Sequence, residues 1–90
     1  MIDVAKKKPI TDEAVKRNIA ANLKRLMERD ELSLRDVAID ACCSFVAIHH
    51  YVAGAKLPRA AAVARLAAMF GVTADELLGT PPATRRRRRS

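Results

Sequence analysis

The sequence predicts an all-α domain of five short helices, and three observations support this fold class. Half of the 90 residues are apolar, but only two are Phe, one is Tyr and none is Trp, which favours close packing of small side chains. Apolar residues recur at spacings of three and four, the period of an amphipathic helix. Alternation of β-branched and polar residues over four to eight positions is missing from the sequence, which therefore gives no strand signal.

The first helix is expected to begin after Thr11, whose hydroxyl can cap it, and to run to about Arg29. Asp12 and Glu13 fall in its first turn, where the helix dipole favours acidic side chains. Apolar residues at helical spacing then form a single stripe, which predicts the face that the helix buries. The residues of this stripe are Val15, Ile19, Leu23 and Leu26.

The most informative stretch is residues 32–54, which reads as two short helices joined by a tight corner. Ser33 and Ser44 are the expected N-caps, because the residue before each and the fourth residue after it are apolar, as in the hydrophobic staple. Asp36, three residues after Ser33, can complete a capping box. Ala38 lies where the two helices should cross, and its small side chain permits a close approach.

Two further helices are expected to complete the domain. Gly54 and Gly71 stand where the third and fourth helices should end, as is common for a left-handed C-terminal cap. Thr73 and Glu76 form a second capping box, which predicts a short fifth helix over about 74–78. The predicted buried stripe of the fourth helix consists of Ala60, Val63, Leu66, Ala67 and Phe70.

The positive charge of the chain is concentrated at its two ends. Residues 10–79 contain nine basic and nine acidic side chains, so the formal charge of +7 comes from three Lys and one Asp near the start and five Arg near the end. We therefore expect a basic arm over 1–9, a folded domain over 10–79 and a disordered Arg-rich tail over 80–90. Such ends attract a polyanion, most commonly nucleic acid. No amphipathic basic helix or lipidation motif favours a membrane surface instead.

The sequence gives no signal for catalysis, a cofactor or a metal. Its three Gly are scattered rather than grouped in a phosphate-binding loop, and its Ser and His residues lack a nucleophile motif. Cys42 and Cys43 are adjacent, and adjacent cysteines rarely have the geometry for a mutual disulfide. They are interpreted as reduced, partly buried hydrophobic residues. Together with His49 and His50 they lack the paired spacings of a zinc site.

The sequence also predicts where the chain works. It lacks the apolar stretch of a signal peptide, and no apolar run reaches the roughly 18 residues that span a bilayer. We therefore expect a cytoplasmic protein, associated with the nucleoid if its basic ends bind DNA.

The order and spacing of these helices resemble the Cro and lambda-repressor-like helix-turn-helix family, also called the xenobiotic-response-element type. The match covers roughly residues 12–79 and is carried by NLKRL (22–26), LSLRDVA (32–38), CSFVAIHHYVAG (43–54), Pro58 and RLAAMFGVTADELL (65–78). The resemblance implies a compact domain that binds double-stranded DNA as a homodimer, with residues 44–53 as the recognition helix in the major groove.

The resemblance also implies which residues touch DNA. Ser44 and Lys56 would bind phosphates. Phe45, Val46 and His50 would face base edges. Leu34 stands where some members carry a Gln that contacts DNA. The whole implied set is Ser44, Phe45, Val46, His49, His50, Lys56, Leu34 and Arg35 in the domain, and Arg85, Arg86, Arg87, Arg88 and Arg89 in the tail.

Several residues depart from the family pattern. Leu34, Phe45 and Val46 are apolar at positions that often carry polar base readers, and Phe45 is either an exposed binding residue or partly buried against a neighbouring helix. Cys42 replaces the Gly that is common at the corner, where a left-handed backbone is often needed.

These departures leave more than one function open. The first is a small phage- or plasmid-type repressor that occludes a promoter. The second is a protein-interaction module, such as an antitoxin, antirepressor or accessory factor, whose apolar face grips a partner while the tail binds DNA non-specifically. A third is a nucleoid-type architectural protein whose basic ends dominate binding.

Overall fold

A computed structural model describes residues 11–81, and within this range the chain forms five α-helices and no strand. They are α1 (Asp12–Asp30), α2 (Leu34–Asp40), α3 (Phe45–Ala53), α4 (Ala60–Phe70) and α5 (Ala74–Leu78). The predicted all-α fold class is confirmed, and α1 ends one residue beyond the expected Arg29. The expected basic arm and nearly all of the Arg-rich tail lie outside the described residues.

The N-caps predicted from the sequence are all present. The hydroxyl oxygens of Thr11, Ser33, Ser44 and Thr73 each accept a hydrogen bond from the backbone N–H three residues ahead, at 3.0–3.1 Å. Both expected capping boxes form, because the carboxylates of Asp36 and Glu76 accept from the backbone N–H of their own caps. These bonds satisfy N–H groups that the first turn of a helix otherwise leaves unpaired.

Within residues 11–81, four residues adopt the left-handed backbone conformation that closes helices and turns. Gly54 (φ +75°) and Gly71 (φ +73°) end α3 and α4 as predicted. Glu31 (φ +56°) closes α1, and Cys42 (φ +57°) lies at the corner between α2 and α3. For Glu31 and Cys42 this conformation costs about 1–2 kcal/mol, because their Cβ atom crowds the backbone.

The core lies where all five helices meet. Ala38 is only 5% exposed at the predicted crossing of α2 and α3. Ala60, which was expected to join the stripe of α4, is exposed because it lies in the first turn, at the rim of an open groove with Val15 and Leu57. The largest fully buried apolar side chains are Ile19, Leu23, Leu26, Val37, Ile48, Leu66 and Leu77.

Asn22 is the one polar residue fully buried within residues 11–81. Its side-chain Nδ2 donates to the carbonyl oxygens of Glu76 (3.1 Å), Leu77 (2.8 Å) and Gly79 (2.9 Å). An amide carries only two hydrogens, so one of them is shared between two acceptors. The bonds satisfy carbonyl groups that the end of a helix leaves free, and they fix α5 against α1.

Candidate nucleic-acid interface

The helix α3 has one buried face and one exposed face. It begins directly after Ser44, whose Oγ accepts from the Ala47 N–H at 3.0 Å, and it ends at Gly54. Ile48 is completely buried and Tyr51 half-buried, so this side of the helix packs on the core. The opposite side is therefore free to contact a partner.

The corner between α2 and α3 fixes the direction in which α3 leaves the core. The Cys43 N–H donates to the Ala38 carbonyl at 2.9 Å, and the Cys42 N–H donates to the Ile39 carbonyl at 3.2 Å. Cys42 adopts the left-handed conformation at this corner, and its side chain is exposed. Both thiols are free, and the Cys43 Sγ donates to the Ala41 carbonyl at 3.4 Å.

Two apolar side chains open the exposed face of α3. Phe45 is 48% exposed and Val46 is 60% exposed. The guanidinium carbon of Arg35, on α2, lies 5.8 Å from the centroid of the Phe45 ring, within the range of a cation–π contact. Phe45 is therefore an exposed aromatic held by a neighbouring cation rather than a residue buried between helices.

Beside this apolar pair runs a polar groove that brings together four of the eight expected site residues of the domain. Ser44, Val46, His50 and Lys56 all line it, as the sequence suggested, and Arg59 joins them. Two of these residues are cations, and none of the side chains that the structure places along the groove is a carboxylate. The hydroxyl oxygen of Ser44 is used in capping, but its hydrogen remains free to donate to an anion.

Arg59 is the residue that sequence reasoning missed. It precedes α4 in an extended conformation, and its side chain makes no capping hydrogen bond. Its position just after Pro58 was visible in the sequence, but its approach to α3 depends on how residues 54–59 fold back. That path could not be read from local patterns.

The comparison with known families agrees with this geometry. A family model described as a helix-turn-helix domain matches residues 18–78, which include α2 through α5 and most of α1. The chain belongs to the helix-turn-helix family. No curated protein and no solved structure gives a significant match to it.

The matched residues include the two short helices α2 and α3. They are joined by a tight corner, which is the arrangement of a helix-turn-helix motif. The protein is accordingly a DNA-binding regulator. None of its described helices is long and apolar enough to cross a membrane.

The remaining residues of the expected site are dispersed around this helix-turn-helix motif. His49 is exposed, and its ring centroid lies 6.0 Å from that of the half-buried His50. Leu34 is half-buried against the core and lines a different groove, with Met27 and Val52, so it is not brought to the groove beside α3. The five Arg residues 85–89 lie outside the described residues.

The described part of the chain contains no candidate metal site. Nowhere in residues 11–81 do three or more His, Cys, Asp or Glu side chains come together with the spacing of a metal site. The carboxylates instead serve as caps and surface charges, as for Asp36. Hydrogen bonds from the backbone and side chain of Ser33 hold the pKa of Asp36 below its usual range.

Proposed function

We propose that this helix-turn-helix protein is a sequence-specific transcriptional regulator of the Cro and lambda-repressor-like type. In this proposal it is a small repressor of the phage or plasmid kind, and it occludes a promoter by placing α3 in the major groove. One observation carries the proposal. Ser44, His50, Lys56 and Arg59 line one groove at the edge of α3, next to the exposed side chains that begin the helix.

The proposed contacts divide into those that position the protein and those that read sequence. Lys56 and Arg59 are exposed cations on a groove without acidic lining, which suits a backbone phosphate, and the free Ser44 hydrogen can donate to the same anion. His50 carries ring nitrogens that can donate or accept at a base edge. Phe45 and Val46 would complete the base-facing surface.

The basic ends would add affinity that does not depend on sequence. The proposed arm over 1–9 and tail over 80–90 flank the proposed DNA-binding domain over 10–79, and Arg85–Arg89 supply the densest charge. Each phosphate that they neutralise should contribute about −0.9 to the slope of log affinity against log salt. The ends would raise the association rate and leave the choice of site to α3.

A homodimer would match the proposed type of regulator. Two copies of α3 would then lie about 34 Å apart, one turn of B-DNA, on a near-palindromic site. A single short helix contacts only a few base pairs. Dimer formation would double the number of base pairs that are read.

The deciding experiment is enrichment of bound sequences from a random duplex pool, with the full chain at near-physiological salt. One enriched motif with two-fold symmetry would support a dimeric regulator and supply its operator. Binding without any enriched motif would contradict the proposed readout. The double variant Lys56→Ala, Arg59→Ala should bind weakly, whereas Arg65→Ala, an exposed cation on α4 outside the groove, serves as the matched control.

The exposed apolar side chains also favour a second candidate function. Ile39 on α2 is 68% exposed, and it adds to the exposed area of Phe45 and Val46. Such residues are common where a protein partner binds. On this alternative the chain is an antitoxin, antirepressor or accessory factor, and its DNA binding disappears when residues 80–90 are removed or the salt concentration is raised.

A further inference from the structure

The first turn of α3 offers apolar surface where a recognition helix usually offers hydrogen-bonding groups. It reads Phe45, Val46 and Ala47, and the first two are about half exposed or more. Behind this turn, the polar side chains of α3 are His49, His50 and the half-buried Tyr51. The first turn of α3 therefore has little capacity to make hydrogen bonds with polar base edges in the major groove of DNA.

This composition restricts what the first turn can face in DNA. The major-groove edges of guanine and adenine carry acceptors and donors, and burying them under apolar side chains leaves those groups unpaired. The C5-methyl group of thymine is the apolar feature of the natural major groove. Contact with it removes apolar surface from water on both sides of the interface, which is favourable.

We propose that this protein selects its site by the C5-methyl groups of pyrimidines, with Phe45 and Val46 as the side chains that contact them. The inference rests on the proposed function, since it names the chemical feature that α3 reads in DNA. The inference also extends the recognised bases from thymine to 5-methylcytosine. A 5-methylcytosine carries the same methyl group at the same edge, so it should replace a contacted thymine better than cytosine does.

The contact between Arg35 and Phe45 supports this role. The guanidinium at 5.8 Å from the ring centroid restricts the motion of an otherwise exposed side chain, so less conformational entropy is lost on binding. Phe45 is thereby held in place for a methyl group.

The test uses the full chain and the operator obtained from the random-pool selection. Each thymine of the operator is replaced in turn by uracil, which removes one methyl group and leaves every hydrogen-bonding group in place. At one or two positions in each half-site, affinity should fall about fourfold for each buried methyl group. At those positions a cytosine–guanine pair should bind more weakly than the same pair carrying 5-methylcytosine.

Variants assign the methyl contact to individual side chains. In Phe45→Ala or Val46→Ala the uracil penalty should vanish at the position that the deleted side chain contacts and persist elsewhere. Ile39→Ala, which removes an exposed apolar side chain from α2, should keep the full penalty and is the matched control. Val46→Thr retains a methyl group and the side-chain shape, so it should keep part of the penalty.

Two results would overturn the inference in different ways. An enriched operator that binds equally well with uracil at every position would show that the protein recognises its site without methyl contacts, and the proposed function would stand. A penalty that is the same in the wild type and both alanine variants would assign it to DNA shape rather than contact. Failure to enrich any operator would instead contradict the proposed function on which the inference rests.

Discussion

The side-chain amide of Asn22 donates a 2.8 Å hydrogen bond to the carbonyl oxygen of Leu77, 55 residues further along the chain. The same amide group serves the carbonyls of Glu76 and Gly79, so one buried side chain holds the last turn of the domain. The amide is fully buried, the Leu77 bond is buried, and the other two bonds are part-buried. The pairing of these carbonyls depends on a single residue, and its loss should be costly.

We expect Asn22→Leu to lower the free energy of unfolding by about 3 kcal/mol, because the buried carbonyl of Leu77 and the part-buried carbonyls of Glu76 and Gly79 lose their donor together. The midpoint of urea unfolding measures this change. Asn18→Ala is the matched control, since Asn18 is half-buried and donates a single bond of 3.1 Å to the Leu78 carbonyl. Its loss should cost about 1 kcal/mol. Equal stability of Asn22→Leu and the wild type would show that the amide network contributes nothing.

Replacing Cys42 by Gly should stabilise the domain by about 0.5–1 kcal/mol. The substitution removes the Cβ that crowds the left-handed backbone at φ +57°, and this gain exceeds the added entropy of Gly in the unfolded chain. Thermal unfolding under reducing conditions measures the effect. Cys42→Ala keeps a Cβ and should leave the melting temperature nearly unchanged. A melting temperature for Cys42→Gly below that of Cys42→Ala would contradict the role of backbone strain.

Lys56→Ala and Arg59→Ala should each weaken DNA binding to a similar extent for every sequence. If each side chain neutralises one phosphate, each substitution should also reduce the salt dependence of log affinity by about one unit. Affinities for specific and random duplexes, measured at several salt concentrations, provide both quantities. Arg65→Ala should change neither of them. A variant that loses affinity for one sequence only would mean that its side chain reads a base.

The carboxylate of Asp36 should make stability depend on pH in acid. Hydrogen bonds from the backbone and hydroxyl of Ser33 lower its pKa in the folded state, so its contribution is fully present above the ordinary Asp value of about 3.9. The contribution is lost as pH falls further, through the folded-state pKa. Urea unfolding at a series of pH values should show a smaller acid loss for Asp36→Asn than for the wild type. Identical pH profiles would rule out this linkage.

The helices could be predicted because their signals are local. Each cap lies within three residues of the backbone group that it satisfies, so Thr11, Ser33, Ser44 and Thr73 could be recognised from spacing alone. The left-handed residue at the corner was expected only from the family resemblance, since no local signal marks Cys42. Cys42 adopts that conformation although it is not Gly.

The tertiary contacts could not be predicted in this way. Asn22 stands within an apolar stripe, but its partners are more than 50 residues away and are backbone groups without any sequence signature. Arg59 reaches the groove beside α3 only because the preceding loop folds back, and Leu34 turns toward Met27 and Val52 instead. These outcomes depend on how whole helices pack, which residue spacing does not specify.

The bonds between α1 and the end of α5 have a kinetic consequence. They close a loop of 54 to 60 residues, whereas the corner between α2 and α3 joins groups only a few residues apart. Closing the longer loop costs more chain entropy, so we expect the corner to form before the transition state for folding and the bonds of Asn22 to form after it.

Substitution of Asn22 should then accelerate unfolding and leave the refolding rate nearly unchanged, which stopped-flow kinetics in urea can measure. A slower refolding rate would place Asn22 in the folding nucleus. If the bonds do form last, they are also the first to break, and the domain begins to unfold by the release of α5 from the middle of α1.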